Sequence, residues 1–218
     1  MESSPIARLS SAALGFGGIA GAAFVIVSRG EVTGALAMIS ERWLIAHNLH
    51  FVSAALLLFG VVGLYQAYSH RLSVFGHFAF VMALLGTGLF LAGGVITAAV
   101  LPLIAGAAPN VVSPTGPLFH PLLPVLPVSL GLFSLGWFLL AIVIARAGIS
   151  PSWTGWTLAA GVAIQAIPPR PFGPVPWIMT DMGWVVMAIA MVGIGVSGWR
   201  SASPLHAIRA EPGLASGD

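Results

Sequence analysis

Six stretches of the chain are long, apolar and nearly free of charge, and this pattern constrains the fold more than any motif does. They cover about residues 8–28, 46–68, 77–105, 126–145, 153–167 and 176–199. A helix of roughly twenty apolar residues matches the hydrocarbon thickness of a bilayer. Inside lipid, only helices and closed barrels satisfy their own backbone groups. The pattern predicts an all-α, polytopic membrane helix bundle of about six transmembrane helices, forming one domain over residues 1–200. Residues 201–218 read as a short polar tail, expected to be disordered. The fifth stretch is the shortest, and it can reach back into Ser150 and Pro151 because proline is tolerated in a first helical turn. The first stretch is long for a signal-peptide core and reads as a retained span.

Charge excludes several classes. Only 6% of the 218 residues are charged, against roughly 25% in soluble domains, too few to coat a water-facing surface. The eight cations are all arginine and are scattered along the chain, leaving no basic patch for nucleic acid. The absence of cysteine removes disulfides and thiolate metal sites, and the absence of lysine removes imine chemistry. With six spans, both ends of the chain share a side with Arg8, Arg71, Arg146, Arg200 and Arg209, while Arg29, Arg42 and Arg170 face the other way. The positive-inside rule then places both termini in the cytoplasm of a multi-pass cell-membrane protein.

The connections differ in kind. Residues 69–76 and 146–152 read as tight cytoplasmic turns. The outward connections are stiffer, with six prolines in 109–127 and five in 167–176, since proline locks φ and cannot donate to a helix ladder. Residues 29–45 suggest a short interfacial helix ahead of the second span. Gly15, Gly17, Gly18 and Gly21 in the first span, and Gly86, Gly88, Gly93 and Gly94 in the third, predict close helix packing. Trp43, Trp153, Trp156, Trp177 and Trp199 fall near span ends, where indoles anchor at headgroup level, whereas Trp137 and Trp184 lie deeper.

Polar residues within the spans carry the functional expectation. Asp181 lies about 7 Å below the outward end of the last span at 1.5 Å per residue, and an ionisable group at such a depth normally faces a bundle interior or wet cavity. Gln165 sits near the outward end of the fifth span. His47 and His50 open the second span three residues apart, on one helix face. His120 lies in an outward loop. These residues approach one depth on one side and form a candidate constellation; an interfacial polar ring at helix ends is the bland alternative. His70, Arg71 and His77 bracket a cytoplasmic turn and suit a headgroup-level role.

Three chemistries fit such a group. Two histidines and a carboxylate can hold a divalent metal, and an imidazole pair such as His50 with His120 can ligate a haem. The third is acid-triggered chemistry on a lipophilic substrate. There Asp181, with Glu31 or Glu41, is the acid, a carboxyl being kept protonated by its apolar surroundings. Trp43, His47, His50, Phe51, Gln165, Trp177 and Trp184 then form the substrate site, and the aromatic faces stabilise a developing carbocation. This third route needs no cofactor and the fewest ligands.

Two segments resemble a known group. Gly60-Val61-Val62-Gly63-Leu64-Tyr65 and Arg146-Ala147-Gly148-Ile149-Ser150-Pro151-Ser152-Trp153-Thr154-Gly155 are similar to segments of uncharacterised small multi-spanning bacterial membrane proteins, which share this rhythm over most of the chain. The resemblance implies a fold and no activity, because these are turn and packing residues. In size and lack of soluble parts the chain is also similar, by loose analogy, to the small integral-membrane terpene cyclases, which implies proton-initiated cyclisation of a prenyl chain. The expected function is therefore an integral membrane enzyme acting on a lipophilic, isoprenoid-type substrate. The alternative is a non-enzymatic subunit of a membrane complex that binds haem or a pigment through histidine. The expected partners are the lipid bilayer, a lipophilic small molecule and, for the alternative, a membrane-complex partner.

Overall fold

A computed structural model of the chain describes residues 5–29, 34–113, 116–118, 125–166 and 175–201, with the side chains of 125–127 and 175–177 left out of the description. Among these residues the chain is helical, with no strand. The elements are α1 (Pro5–Ser28), a short α2 (Ala35–Met38), α3 (Glu41–Tyr68), α4 (Val74–Val95), α5 (Leu101–Ala107), α6 (Val125–Ala147), α7 (Ser152–Gln165) and α8 (Val175–Ser201).

Five segments are long and apolar enough to cross a bilayer: Pro5–Ser28, Glu41–Arg71, Val74–Ala107, Val128–Ala147 and Ile178–Ser201. The fifth expected span is α7, whose 14 described residues reach about 21 Å at 1.5 Å per residue. That is shorter than a hydrocarbon core of about 30 Å. It nonetheless packs between α6 and α8 as a full member of the bundle.

The six principal helices close a ring in the order α1, α3, α4, α6, α7, α8 and back to α1. Every neighbour in it runs antiparallel. Gly17 and Gly60 of the α1/α3 seam abut Leu57 and Leu14, while Gly86 of α4 abuts Phe133 of α6 and Gly136 of α6 abuts Ala83 of α4. Gly155 meets Ala145, Gly183 meets Gln165, and Gly195 returns α8 to Ser11. Pro5 and Ser201 therefore lie at the same end of the bundle, as an even number of crossings requires. The close backbone approaches follow from the small residues, which supply the contact that apolar lipid does not drive. Gly86 and Gly94 make such contacts as expected, but Gly88 and Gly93 have nothing within 4 Å and face outward.

The ends of the helices explain themselves locally. Ser40 caps α3, accepting from the Trp43 amide at 3.2 Å, and Glu41 complements the positive end of the helix dipole in the first turn. This cap starts the helix five residues before the apolar stretch does. Ser73 caps α4 through the Gly76 amide. Gly148, at φ 64°, ends α6 in the left-handed conformation that glycine adopts at low cost. Ser150 then bonds Ser197 at 2.7 Å and accepts from Thr154 at 3.1 Å, fixing the turn between α6 and α7 to α8.

The third span is continuous from Val74 to Ala107, 34 residues, or about 51 Å at 1.5 Å per residue. It is longer than a bilayer core, and its far part widens into a π-helical turn at Ile96–Val100 ahead of Pro102. The ring of a mid-helix proline collides with the carbonyl four residues back, and a wider turn relieves that crowding. The protruding tip packs Leu101 and Ala105 against Met38 of α2, Trp43 and Val112. A short helix does precede the second span: α2, with Met38 buried and Leu36 exposed.

Candidate functional site

Two polar features occupy the half of the bundle remote from Pro5 and Ser201. The first is an imidazole pair inside an aromatic cluster. His47 and His50 project from one face of α3 with ring centroids 6.4 Å apart, and both are buried. Trp43 lies 4.0 Å from His47, Phe24 stacks on His50 at 4.9 Å, and Phe90 lies 4.1 Å from His50. From Phe90 the cluster runs inward to Phe133 and Trp184, which stack on each other at 5.7 Å, and on to Trp137. Hydrogen bonds lock its edges: Trp43 Nε1 donates to the Thr97 carbonyl at 3.0 Å, and Trp137 Nε1 donates to Thr87 Oγ1 at 3.0 Å.

Neither ring nitrogen of His50 has a hydrogen-bond partner among the described residues. The Phe90 backbone lies beside the ring but outside hydrogen-bonding geometry. Gln165 is equally deep. Its Oε1 is 3.5 Å from Ser134 Oγ, and its Nε2 has no described partner. An unpaired buried polar group costs roughly 1–3 kcal/mol, so these atoms mark the polar centre of an otherwise apolar core.

The second feature is an ion pair. Arg29 Nε, just past the end of α1, is 3.4 Å from Asp181 Oδ2. The pair stands in the wall of a cavity of about 220 Å³ lined by Ile178, Met182, Val185 and Val186. Ile178, Met182 and Val185 are exposed on the bundle surface, so in a membrane the cavity opens sideways to lipid. Arg42 braces the same corner. Its Nε donates to the Val27 carbonyl at 2.7 Å and its guanidinium also reaches the Arg29 carbonyl. A cation on the last carbonyls of a helix is favourable to its dipole, and here it also fixes the backbone that carries Arg29.

The expected constellation is thus divided. His47, His50, Gln165, Trp43 and Trp184 are interior, whereas Asp181 pairs with Arg29 on the lipid-facing wall. Trp184, 3% exposed, is engaged with Phe90 and Phe133 and does not line the Asp181 cavity. Phe51 is exposed on the outer face of α3, and Glu41 is exposed in its first turn. Glu31, His120 and the Trp177 side chain lie outside the described residues. No third histidine, cysteine or carboxylate joins His47 and His50 among the described residues. The His50 nitrogens are covered by protein atoms, and the expected haem pair of His50 with His120 lies partly outside the described residues. Phe24, Phe90 and Phe133 went unmarked in the sequence, and Arg29 and Arg42 were read there only for topology. Arg29 had a signal, being a cation at the same end of the bundle as Asp181.

No protein-family model, no curated protein and no solved structure matches the chain.

Proposed function

We propose that this protein is a membrane enzyme acting on a lipophilic substrate with a polar head, with Asp181 as its acid–base residue and Arg29 as the group that receives the head. The supporting observation is the Arg29–Asp181 pair in the wall of an apolar cavity open to lipid. An ionic pair placed there is costly unless it has a task or a partner, and arginine is suited to planar oxygen-rich groups. An amphiphile entering from the bilayer would lay its chain along Met182 and Val185 and bring its head to the pair.

Asp181 can serve as an acid only when it is not committed to Arg29. A head group that draws Arg29 away leaves the carboxylate free to take a proton from the aqueous boundary. It then passes that proton to a double bond or epoxide oxygen of the substrate, and regains one when the resulting cation loses a proton. Isoprenoid cyclisation is the specific form of this reading. Asp181→Asn keeps the shape and removes the transferable proton. Product formation from farnesyl- or geranylgeranyl-type substrates in membranes should fall at least about 10²-fold, the scale of a lost general acid, at unchanged protein level. Full turnover by the Asn variant would sink the assignment.

The competing reading is a non-enzymatic subunit of a membrane complex, and the unpartnered His50 nitrogens favour it. It predicts that a small coordinating or hydrogen-bonding guest copurifies with the protein and is lost on His50→Phe.

A further inference from the structure

The seam between α1 and α8 is closed at its floor and open at its rim. A Cβ on Gly195 would lie 2.5 Å from the Ser11 carbonyl oxygen, and one on Gly198 would strike the Ser11 hydroxyl, so the two backbones touch there. Towards the rim, Gly15 has only the Val192 Cα near it, at 3.7 Å. Phe16 and Trp199, both exposed, rise as walls. Between them lies an apolar groove of about 330 Å³ with Arg200 at its end. The groove lies open on the bundle surface and ends in a cation beside an exposed indole.

Among the described residues the charge around it is one-sided: Arg71, Arg146 and Arg200 belong to this end of the bundle, and no described acidic residue does. At the opposite end Arg29 and Arg42 are offset by Asp181 and Glu41. A bilayer leaflet rich in anionic lipid attracts such an end, each arginine near its surface contributing on the order of 1 kcal/mol.

We propose that the groove binds one acyl chain of an anionic phospholipid, with the lipid phosphate on the Arg200 guanidinium. The chain fills the space beside Gly15 and Val196, the phosphate meets Arg200 at headgroup level, and Trp199 packs against the glycerol region. A second copy of the protein is a poorer occupant. Two-fold packing in one membrane would set Arg200 of each copy near that of the other, with no acid between them among the described residues. The site lies at the opposite end of the bundle from Asp181 and is independent of the reaction proposed there.

The test uses the full chain reconstituted with vesicles of equimolar phosphatidylglycerol and phosphatidylcholine with matched acyl chains, followed by native mass spectrometry of the lipids retained. The wild type should retain phosphatidylglycerol over phosphatidylcholine by about five-fold, the worth of one arginine at an anionic surface, and the preference should shrink as salt rises. Arg200→Ala should bring the ratio close to one while a lipid is still bound. Gly15→Leu should reduce both lipids, because its Cβ meets only an ordinary contact and the rest of the side chain fills the groove. Val196→Trp, which fills the groove from the exposed rim, serves if the Gly15 variant does not accumulate. Equal retention of the two lipids by the wild type would overturn the proposal, as would an unchanged preference in Arg200→Ala. A wild-type dimer that Gly15→Leu converts to monomer would assign the groove to a second copy instead.

Discussion

Adding one methyl group at Gly86 should loosen the bundle, whereas the same change two residues later should not. A Cβ on Gly86 would sit 2.5 Å from the Leu132 carbonyl oxygen and 2.6 Å from the Phe133 Cα, where ordinary contact begins at 3.4 Å. Both obstacles are backbone atoms, so no rotamer change relieves them, and α4 and α6 must separate by roughly 0.9 Å. Overpacking of this kind costs about 1–3 kcal/mol, against which alanine returns up to about 1 kcal/mol of helix propensity. Gly88 has nothing within 4 Å, so Gly88→Ala should gain that propensity term alone. The two variants should therefore differ by about 1–3 kcal/mol, with Gly86→Ala the less stable. Equilibrium unfolding of the purified proteins in mixed detergent micelles measures the difference. The separation also pulls Phe133 away from Phe90, so near-ultraviolet circular dichroism from the aromatic cluster should weaken in Gly86→Ala only. Equal stability of the two variants would refute the assignment of Gly86 to a backbone contact and Gly88 to the lipid face.

Thr87→Val should destabilise by about 1–3 kcal/mol, the scale of a buried donor left without a partner, because Trp137 Nε1 loses its acceptor. Trp137→Phe in that background should add little hydrogen-bond loss, which a double-mutant cycle in the same unfolding assay reads out. Replacing His47 and His50 with alanine should leave metal content unchanged, because no third histidine, cysteine or carboxylate joins them among the described residues. A metal lost in that double variant would contradict this. Reporter fusions after Trp199 and at Asn110 should report a cytoplasmic C-terminus and an outward loop, and an active periplasmic reporter after Trp199 would reverse the orientation.

The helical bundle was legible because its physics is one-dimensional. Backbone satisfaction in lipid demands runs of apolar residues, and those runs can be counted. The turns at 69–76 and 146–152 were legible for a related reason, since serine caps and a glycine stop are local devices. Which glycines pack was not legible: Gly86 and Gly88 have the same composition around them, and only the rotation of α4 against α6 separates them. Asp181 was marked by its depth alone. Its pairing with Arg29 depends on α1 ending beside α8, a contact between residues at opposite ends of the sequence. The phenylalanines that join the aromatic cluster escaped notice for the same reason: Phe24, Phe90 and Phe133 come from three different helices, each ring unremarkable in its own span.

Photolabelling tests the proposed docking of substrate at the Arg29–Asp181 pair most directly. A prenyl diphosphate analogue with a photoreactive group a few carbons from its head would be irradiated with the full chain in membranes, and the labelled residues identified by mass spectrometry. Docking at this cavity predicts label on Met182 and Val185, reduced by unlabelled prenyl diphosphate and weakened in Arg29→Gln, whose neutral side chain cannot hold the charged head. Label spread evenly over lipid-facing residues such as Phe16 and Phe78, or unaffected by Arg29→Gln, would contradict it.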